Sequence, residues 1–167
     1  MKFLAPLSTL ALSYVLFFGY LIGSYDSLPQ HVASHFDFQG QPDGWMSRND
    51  LVGFTVGLGI FMPAVLVGLM ASAGRIPVHL VNLPNRDYWL APERRKETSS
   101  VLLYYALWFA SMNVLFVTGV HWLVVQANKA GGSQHLDETG IVIVLGGFLL
   151  GSGLWIGLLK RQFSVED

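Results

Sequence analysis

The sequence predicts an all-α membrane protein, with four transmembrane helices in a bundle and a structured extracytoplasmic loop between helices 1 and 2. Two observations carry this prediction. Hydrophobic residues make up 52% of the 167 residues and charged residues only 13%, against roughly 25% charged residues in an average soluble domain. The hydrophobic residues are also concentrated in four long runs. Because this number of charged residues is too small to cover the surface of a small soluble fold, the apolar residues are expected to face lipid.

The four spans are predicted at residues 3–23, 51–73, 99–125 and 139–159, within a single membrane domain of residues 1–167. Each run holds enough apolar residues to cross roughly 30 Å of hydrocarbon. The first run follows Met1 and Lys2, as a secretory signal peptide would. It is longer than the apolar region of a signal and no A-x-A-like cleavage site follows, so an uncleaved span is expected.

Basic residues predict the orientation of the spans. The two termini and the second loop hold eight of the ten lysines and arginines, whereas the first and third loops hold only Arg48 and Lys129. Lysine and arginine accumulate on the cytoplasmic side of a membrane. The N- and C-termini are therefore predicted to be cytoplasmic, in a multi-pass protein of the cell (inner) membrane.

Small and polar residues inside the spans predict how the helices pack. Glycines four residues apart let two helix backbones approach closely in lipid, and three such pairs occur: Gly53 with Gly57, Gly147 with Gly151, and Gly153 with Gly157. Packing within the bundle is the favoured interpretation, and a homo-oligomer through these glycine faces is the alternative. Asn113, Thr118 and His121 of the third span are expected to bond to neighbouring helices or to line a polar cavity that opens outward.

The loop at residues 24–50 carries most of the functional signal. It is long for a bare connection, and long loops usually have a structure or function of their own. Ser27 as a cap, Pro29 in a first turn and the spacing of Leu28, Val32 and Phe36 predict a short helix. Turns are expected at Gln39-Gly40 and at Pro42-Asp43-Gly44, and Ser47 with Asp50 predicts a capping box that opens the second span. The loop would form a lid on the bundle.

Two histidines in this loop raise the question of a metal. His31 and His35 are four residues apart, but the glutamate of the H-E-x-x-H motif is missing between them. No metal and no cofactor are therefore expected, with His35 and Asp43 as weak metal candidates. The favoured role of His35 is a hydrogen bond to Asp43, or to a backbone carbonyl, that fixes the lid.

The loop also resembles a known family. Its pattern is L-P, then H-F, then G-x-x-D followed by an aromatic residue, at Leu28, Pro29, His35, Phe36, Gly40, Asp43 and Trp45. This pattern resembles the DUF1648 domain of bacterial membrane proteins, which also begins the SdpI family, where one member gives immunity to a secreted peptide toxin. The resemblance implies a small helical bacterial membrane protein, with Pro29, His35, Phe36, Gly40, Asp43 and Trp45 as motif or ligand-binding candidates. SdpI-type relatives typically have more spans than four.

The second loop is basic and aromatic. Ala91-Pro92-Glu93 predicts the start of a helix that continues into the third span. The loop is expected either to anchor at the headgroups or to bind a cytoplasmic protein partner, and its interaction candidates are Asn82, Asn85, Tyr88, Trp89, Arg94 and Arg95. In the third loop, Ala130-Gly131-Gly132-Ser133 predicts a turn.

The function expected from these features is non-enzymatic binding, sensing or immunity, in which the outer loop recognises an envelope ligand or peptide. The alternatives are a metal-dependent membrane enzyme that uses His35 and Asp43, and an accessory subunit of a membrane complex. A net charge of −1 argues against a nucleic-acid partner. The expected partners are the lipid bilayer, a peptide or envelope ligand, a cytoplasmic protein and a second copy of the chain.

Overall fold

The structure, a computed structural model, describes residues 2–129 and 134–164. Within these residues, four helices are long and apolar enough to cross a membrane, which makes the chain a multi-pass membrane protein. They are α1 (Leu4–Ser24), α2 (Arg48–Ser72), α4 (Arg95–Asn128) and α5 (Glu138–Phe163), and a short helix α3 (Arg86–Trp89) precedes α4. The four predicted spans are confirmed, with small shifts at their ends. The predicted turn at residues 130–133 lies outside the described residues.

Helix α4 is the central helix of the bundle. It packs against α1, α2 and α5, and small residues such as Ala106 and Ala110, which are fully buried, let its neighbours come close. Its 34 residues correspond to about 51 Å at 1.5 Å per residue, so α4 is longer than the roughly 30 Å hydrocarbon layer. The helix therefore reaches the polar segments at both ends of the bundle.

The glycine pairs do not all pack inside the bundle as predicted. A Cβ at Gly151 would lie 2.6 Å from the sulfur of Met112 on α4, so this glycine does serve close packing. Within the described part of the chain, and apart from the backbone of their own helix, nothing lies within 4 Å of a Cβ position at the other five: Gly53, Gly57, Gly147, Gly153 and Gly157. For Gly53, Gly57, Gly153 and Gly157 the prediction of packing within the bundle is therefore wrong. Gly147 does face α4, but across a gap that Met112 and Phe116 also line.

The segment between α1 and α2 is a β-hairpin, which corrects the all-α prediction. A 3-10 turn at Tyr25–Ser27 leads into strand β1 (His31–Phe36), which pairs antiparallel with strand β2 (Pro42–Ser47). The predicted short helix is wrong, and so is the predicted turn at Pro42-Asp43-Gly44, which lies inside β2. In place of helical bonds, the backbone of Val32 and Ala33 faces β2 on one side and the end of α4 on the other.

The cap predicted at Ser47 is confirmed, although the Asp50 carboxylate bonds to the Ser47 hydroxyl and not to the Ser47 N–H as in a full capping box. The Ser47 hydroxyl accepts a hydrogen bond from the backbone N–H of Asp50 at 3.1 Å, and it also lies 2.6 Å from the Asp50 carboxylate. This pair satisfies a free N–H in the first turn of the helix. Because Ser47 also ends β2, the same residue fixes the direction in which the hairpin leaves α2.

At the opposite end of the bundle, residues 73–94 fold over the start of α4. A 3-10 turn at Val78–Leu80 and helix α3 pack with Leu102 and with Phe163 at the end of α5. The helix predicted to begin at Ala91-Pro92-Glu93 begins at Arg95 instead, after a turn at Ala91 to Arg94. The Arg95 N–H donates to the Ala91 carbonyl at 3.1 Å, so the turn leads directly into α4, as predicted. The side chain of Arg95 turns back to donate to the Leu90 carbonyl.

Candidate functional site

The hairpin is held together at its tip by Asp37 and Gly40. The Asp37 carboxylate accepts hydrogen bonds from the backbone N–H groups of Gln39 and Gln41, at 2.9 and 2.8 Å. Gly40 has a φ of +76°, a conformation that glycine adopts without steric cost. A Cβ there would lie 3.2 Å from both His135 Nδ1 and the Leu136 carbonyl oxygen. The glycine of the motif is thus required by the turn and by the close approach of the segment before α5.

Asn128, at the last turn of α4, attaches the hairpin to the bundle. Its amide accepts a hydrogen bond from the Ala33 N–H at 2.7 Å and donates one to the Ala33 carbonyl at 2.8 Å. Asn128 and Ala33 are both buried. The side chain therefore occupies the place that a third strand would take beside β1, and Val32 and Leu28 pack beneath it against Val124 and Val125.

Arg48, the first residue of α2, attaches the other end of the hairpin. Its guanidinium donates to the carbonyl oxygens of Tyr25 and Leu28 at 3.3 and 3.2 Å, and it lies 4.2 Å from the centre of the Tyr25 ring. The carbonyls at the end of a helix carry partial negative charge. Arg48 therefore stabilises the end of α1 and joins it to the start of α2.

His35 and Asp43 are in contact across the hairpin, which confirms the predicted hydrogen bond between them. His35 Nδ1 lies 2.5 Å from Asp43 Oδ1, and the two side chains are 75% and 48% exposed. Two aromatic side chains are also exposed here: Trp45 on β2 and Phe38 at the tip. The hairpin thus combines an exposed polar pair with aromatic groups, which suits contact with a lipid headgroup region or an amphipathic ligand.

The other motif candidates have packing roles or lie on the surface. Leu28 is buried and Phe36 is half-buried against the core at this end of the bundle. Pro29 is exposed between the 3-10 turn and β1. In the described ranges 2–129 and 134–164, no three His, Cys, Asp or Glu side chains are grouped closely enough to hold a metal ion.

A cleft lies beneath the hairpin, along α4. One half, of about 140 Å³, lies between α4 and α2 and is lined by residues that include Phe54, Thr55 and His121. The other half, of about 350 Å³, lies between α4 and α5 and is lined by residues that include Phe38, Ile141 and Leu145. Both halves are lined by Phe116, Val120 and Val124, which share one face of α4. The two are therefore neighbouring halves of one cleft, and residues of the hairpin line both of them.

His121 is the polar side chain that matters most in this cleft. The residue is 3% exposed, and its Nδ1 lies 3.3 Å from the hydroxyl of Thr55 on α2, which confirms the bond to a neighbouring helix predicted for His121. The same prediction is wrong for Thr118, whose hydroxyl bonds to its own helix, and Asn113 Oδ1 is buried without a partner among the described residues. The other ring nitrogen of His121, Nε2, is buried and has no hydrogen-bond partner among the residues that the structure describes. A buried polar atom left without a partner costs free energy, so Nε2 is the atom that a bound ligand would satisfy.

Comparison with known protein families gives a match at the hairpin and its flanking helices. Residues 12–67 match the family model described as a domain of unknown function, DUF1648. The chain carries a DUF1648 domain. The domain covers most of α1, the whole hairpin and most of α2, and it includes all seven residues of the motif. No curated protein and no solved structure matches the chain.

The DUF1648 domain supplies only part of the candidate site. It contributes the roof and the α2 wall of the cleft, including Thr55, whereas the floor belongs to α4, outside the matched residues. The sequence marks His121 as a polar group in a span but does not connect it to the hairpin. It does not mark Asn128 or Arg48 as site residues. A buried asparagine at the last turn of an apolar helix was the available signal for Asn128.

The candidates outside the DUF1648 domain, in the basic loop, are mostly used within the fold. Trp89 Nε1 and the Asn85 amide donate to the Phe163 carbonyl at 2.8 and 3.2 Å. The Arg94 guanidinium lies 3.6 Å from the centre of the Tyr88 ring, and Arg95 bonds to Leu90. Asn82 is exposed. A protein partner at this loop and the association of copies through glycine faces stay predictions.

Proposed function

We propose that this chain is a non-enzymatic binding protein of the membrane, and that the cleft beneath the hairpin holds an apolar or amphipathic molecule of the cell envelope. The observation that carries the proposal is the unpartnered Nε2 of His121 at the wall of the cleft. Ligand sites are commonly concave and apolar with a few polar groups that orient the ligand, and the cleft has this composition.

The exposed hairpin supports the same proposal. Phe38 at its tip also lines the larger half of the cleft, so a molecule that enters between α4 and α5 would touch the hairpin. In this proposal the His35–Asp43 pair keeps the two strands in register, and the aromatic side chains contact the ligand or the headgroups around it. Sensing, or immunity of the SdpI type, would follow if occupancy of the cleft changes how the hairpin is held.

We further propose that the hairpin faces the outside of a bacterial inner membrane and that both termini are cytoplasmic. The support is the distribution of charge. Of the basic residues, only Arg48 and Lys129 lie at the hairpin end of the bundle, and the other eight lie at the opposite end or in the termini there. Basic residues concentrate on the cytoplasmic side of membrane proteins.

The proposed binding function is tested by what co-purifies with the protein. Wild type, Val120→Phe and Val142→Phe would be purified in detergent from the same cells, and organic extracts of each would be compared by mass spectrometry. Val120→Phe adds bulk where the halves of the cleft meet, whereas Val142→Phe adds the same bulk to a residue of α5 that is 71% exposed and lines neither half. We expect an envelope molecule that is several-fold depleted only in Val120→Phe. Equal extracts from all three proteins would contradict the proposal.

A further inference from the structure

The charges around the cleft restrict the headgroup that it can hold. Among the described residues that line its two halves, the ionisable side chains are Asp37 and His121, with no lysine or arginine. A phosphate is normally bound by arginine, lysine or helix N-termini. The Asp37 carboxylate would repel a phosphate instead. A ligand in this cleft is therefore not anionic at its polar end, and an ammonium group would lose its hydration against the apolar wall around His121.

The hydrogen bonds of Thr55 determine what His121 can do. The Thr55 hydroxyl donates its proton to the Leu51 carbonyl at 2.8 Å, so it can only accept from the ring of His121, 3.3 Å away. In the uncharged imidazole, which an apolar wall favours, the proton therefore lies on Nδ1. Nε2 then carries a lone pair and accepts a hydrogen bond.

An acceptor in the wall requires a donor on the ligand. Ester carbonyls and phosphate diesters only accept hydrogen bonds, so they do not satisfy Nε2. A hydroxyl group does. Ser34, on the hairpin side of the same half, donates its own proton to the Gly44 carbonyl at 3.4 Å, so it too offers its oxygen as an acceptor.

The sizes of the two halves set where each part of the ligand lies. The half that contains His121 measures about 140 Å³, enough for a small polar group and the first carbons attached to it. The half between α4 and α5 measures about 350 Å³, which lies within the range of ordinary ligand pockets. Its apolar walls suit a hydrocarbon chain.

Building on the proposed binding function, we infer that the cleft binds an uncharged lipid alcohol of the membrane. Its hydroxyl group donates to His121 Nε2, and its hydrocarbon chain passes over Val120 and Val124 into the half between α4 and α5. Diacylglycerol and long-chain prenyl alcohols share this chemistry. A phospholipid of the surrounding bilayer carries a phosphate charge that the lining residues do not neutralise, even where its headgroup has a hydroxyl or ammonium donor.

The test uses light-activated lipid probes in vesicles that contain the full chain. Diacylglycerol with a diazirine in one acyl chain is compared with its methyl ether and with phosphatidic acid of the same chains, and a diazirine-bearing geranylgeraniol is compared with its methyl ether. Only the donor, or the charge, differs within each set. We expect one alcohol to label the peptides of α4 about five- to tenfold more than its ether, the usual effect of one hydrogen bond.

Three variants show whether that preference comes from the cleft. His121→Leu removes the acceptor, and the milder Thr55→Val removes the group that places the proton on Nδ1, so both are expected to bring the alcohol-to-ether ratio near one. Thr118→Val is the control, because the Thr118 hydroxyl bonds to the Val114 carbonyl on its own helix; the ratio should stay as in wild type.

The outcomes separate this inference from the proposed binding function. Suppose that both alcohols, their ethers and phosphatidic acid label the protein equally, and that Val120→Phe abolishes this labelling. That result would overturn the preference for a lipid alcohol but would support a binding site in the cleft. If labelling by every probe is the same in Val120→Phe as in wild type, both the lipid-alcohol inference and the proposed binding function are contradicted. An alcohol preference that persists in His121→Leu and in Thr55→Val would overturn the role of His121.

Discussion

Asn128 makes three hydrogen bonds with one amide: two with the backbone of Ala33, and one to the Val124 carbonyl at 2.9 Å on its own helix. A primary amide can do this because it has an acceptor and two donors. A charged side chain would offer either donors or acceptors and could not serve both groups of Ala33. Position 128 therefore requires an amide side chain, because the N–H and the carbonyl of Ala33 in β1 must both be bonded.

Replacing Asn128 by leucine should cost about 2–4 kcal/mol of unfolding free energy, because the N–H and C=O of Ala33 would both be buried without partners. Reversible unfolding in mixed detergent micelles would measure this. Asn82→Leu is the control, since Asn82 is exposed at the other end of the bundle. Equal effects of the two changes would contradict the proposed contact.

Gly40 is the glycine of the motif whose conformation requires the absence of a side chain. Gly40→Ala should destabilise the protein by about 1–2 kcal/mol, the cost of a left-handed conformation for a residue with a Cβ, and should loosen the tip from Leu136. Hydrogen exchange of the Leu136 amide, which donates to the Gly40 carbonyl at 3.0 Å, reports on this directly. Gly53→Ala, with open space around its Cβ, should leave that exchange unchanged.

The His35–Asp43 pair should contribute little to stability, because both side chains are largely exposed. Exposed ion pairs contribute about 0.2–1 kcal/mol in double-mutant cycles. A cycle of His35→Gln and Asp43→Asn should therefore give a coupling energy below about 1 kcal/mol. A coupling of several kcal/mol would show that the pair is shielded from water in the membrane, for example by bound ligand.

At the scale of elements, α1 and α2 approach each other where the Phe17 ring covers Gly59. A Cβ at Gly59 would lie 2.5 Å from Phe17 Cζ, and Phe17 is almost fully buried. Gly59→Ala should therefore cost about 1–3 kcal/mol through overpacking. Gly57→Ala on the same helix should cost nothing, since nothing lies near its Cβ position. Detergent unfolding of the two variants side by side decides the matter.

The helices could be predicted from the sequence because the bilayer imposes their length and their apolar character locally. The cap of α2 could also be predicted, because Ser47 and Asp50 are only three residues apart and their contact is local in the sequence. The hairpin could not. Leu28, Val32 and Phe36 fit one face of a helix, but Val32 and Phe36 instead lie on a strand whose outer edge pairs with Asn128.

The candidate site shows the same division. The His35–Asp43 contact and the turn at Gly40 lie within one local segment and were predicted. The cleft needs α2, α4, α5 and the hairpin together, so no local pattern contains it. His121 illustrates this. A bond from His121 to a neighbouring helix was predicted, and Thr55 is the partner. The unpartnered Nε2 could not be predicted, because it depends on where the packed helices leave a gap.

At the scale of the whole molecule, the two ends differ in charge and in structure. The sequence has no cysteine, so single cysteines can be introduced without background. In intact cells, Gln39→Cys at the hairpin should react with a membrane-impermeant maleimide, whereas Lys96→Cys should react only after the cells are permeabilised. The cysteine-free wild type is the control for unspecific reaction. The reverse pattern would invert the proposed orientation.

The contact between Ala33 and Asn128 also bears on how the protein is made. The two residues are 95 positions apart, and a ribosome adds about 5–20 residues each second. The hairpin therefore leaves the ribosome roughly 5 to 20 seconds before the residue that completes it. During that interval the nascent strands present an unpaired edge, which only the insertion of the third span can close. Assembly of this protein in the membrane is thus tied to the order of its synthesis, and the edge of β1 is the segment that a chaperone would have to protect.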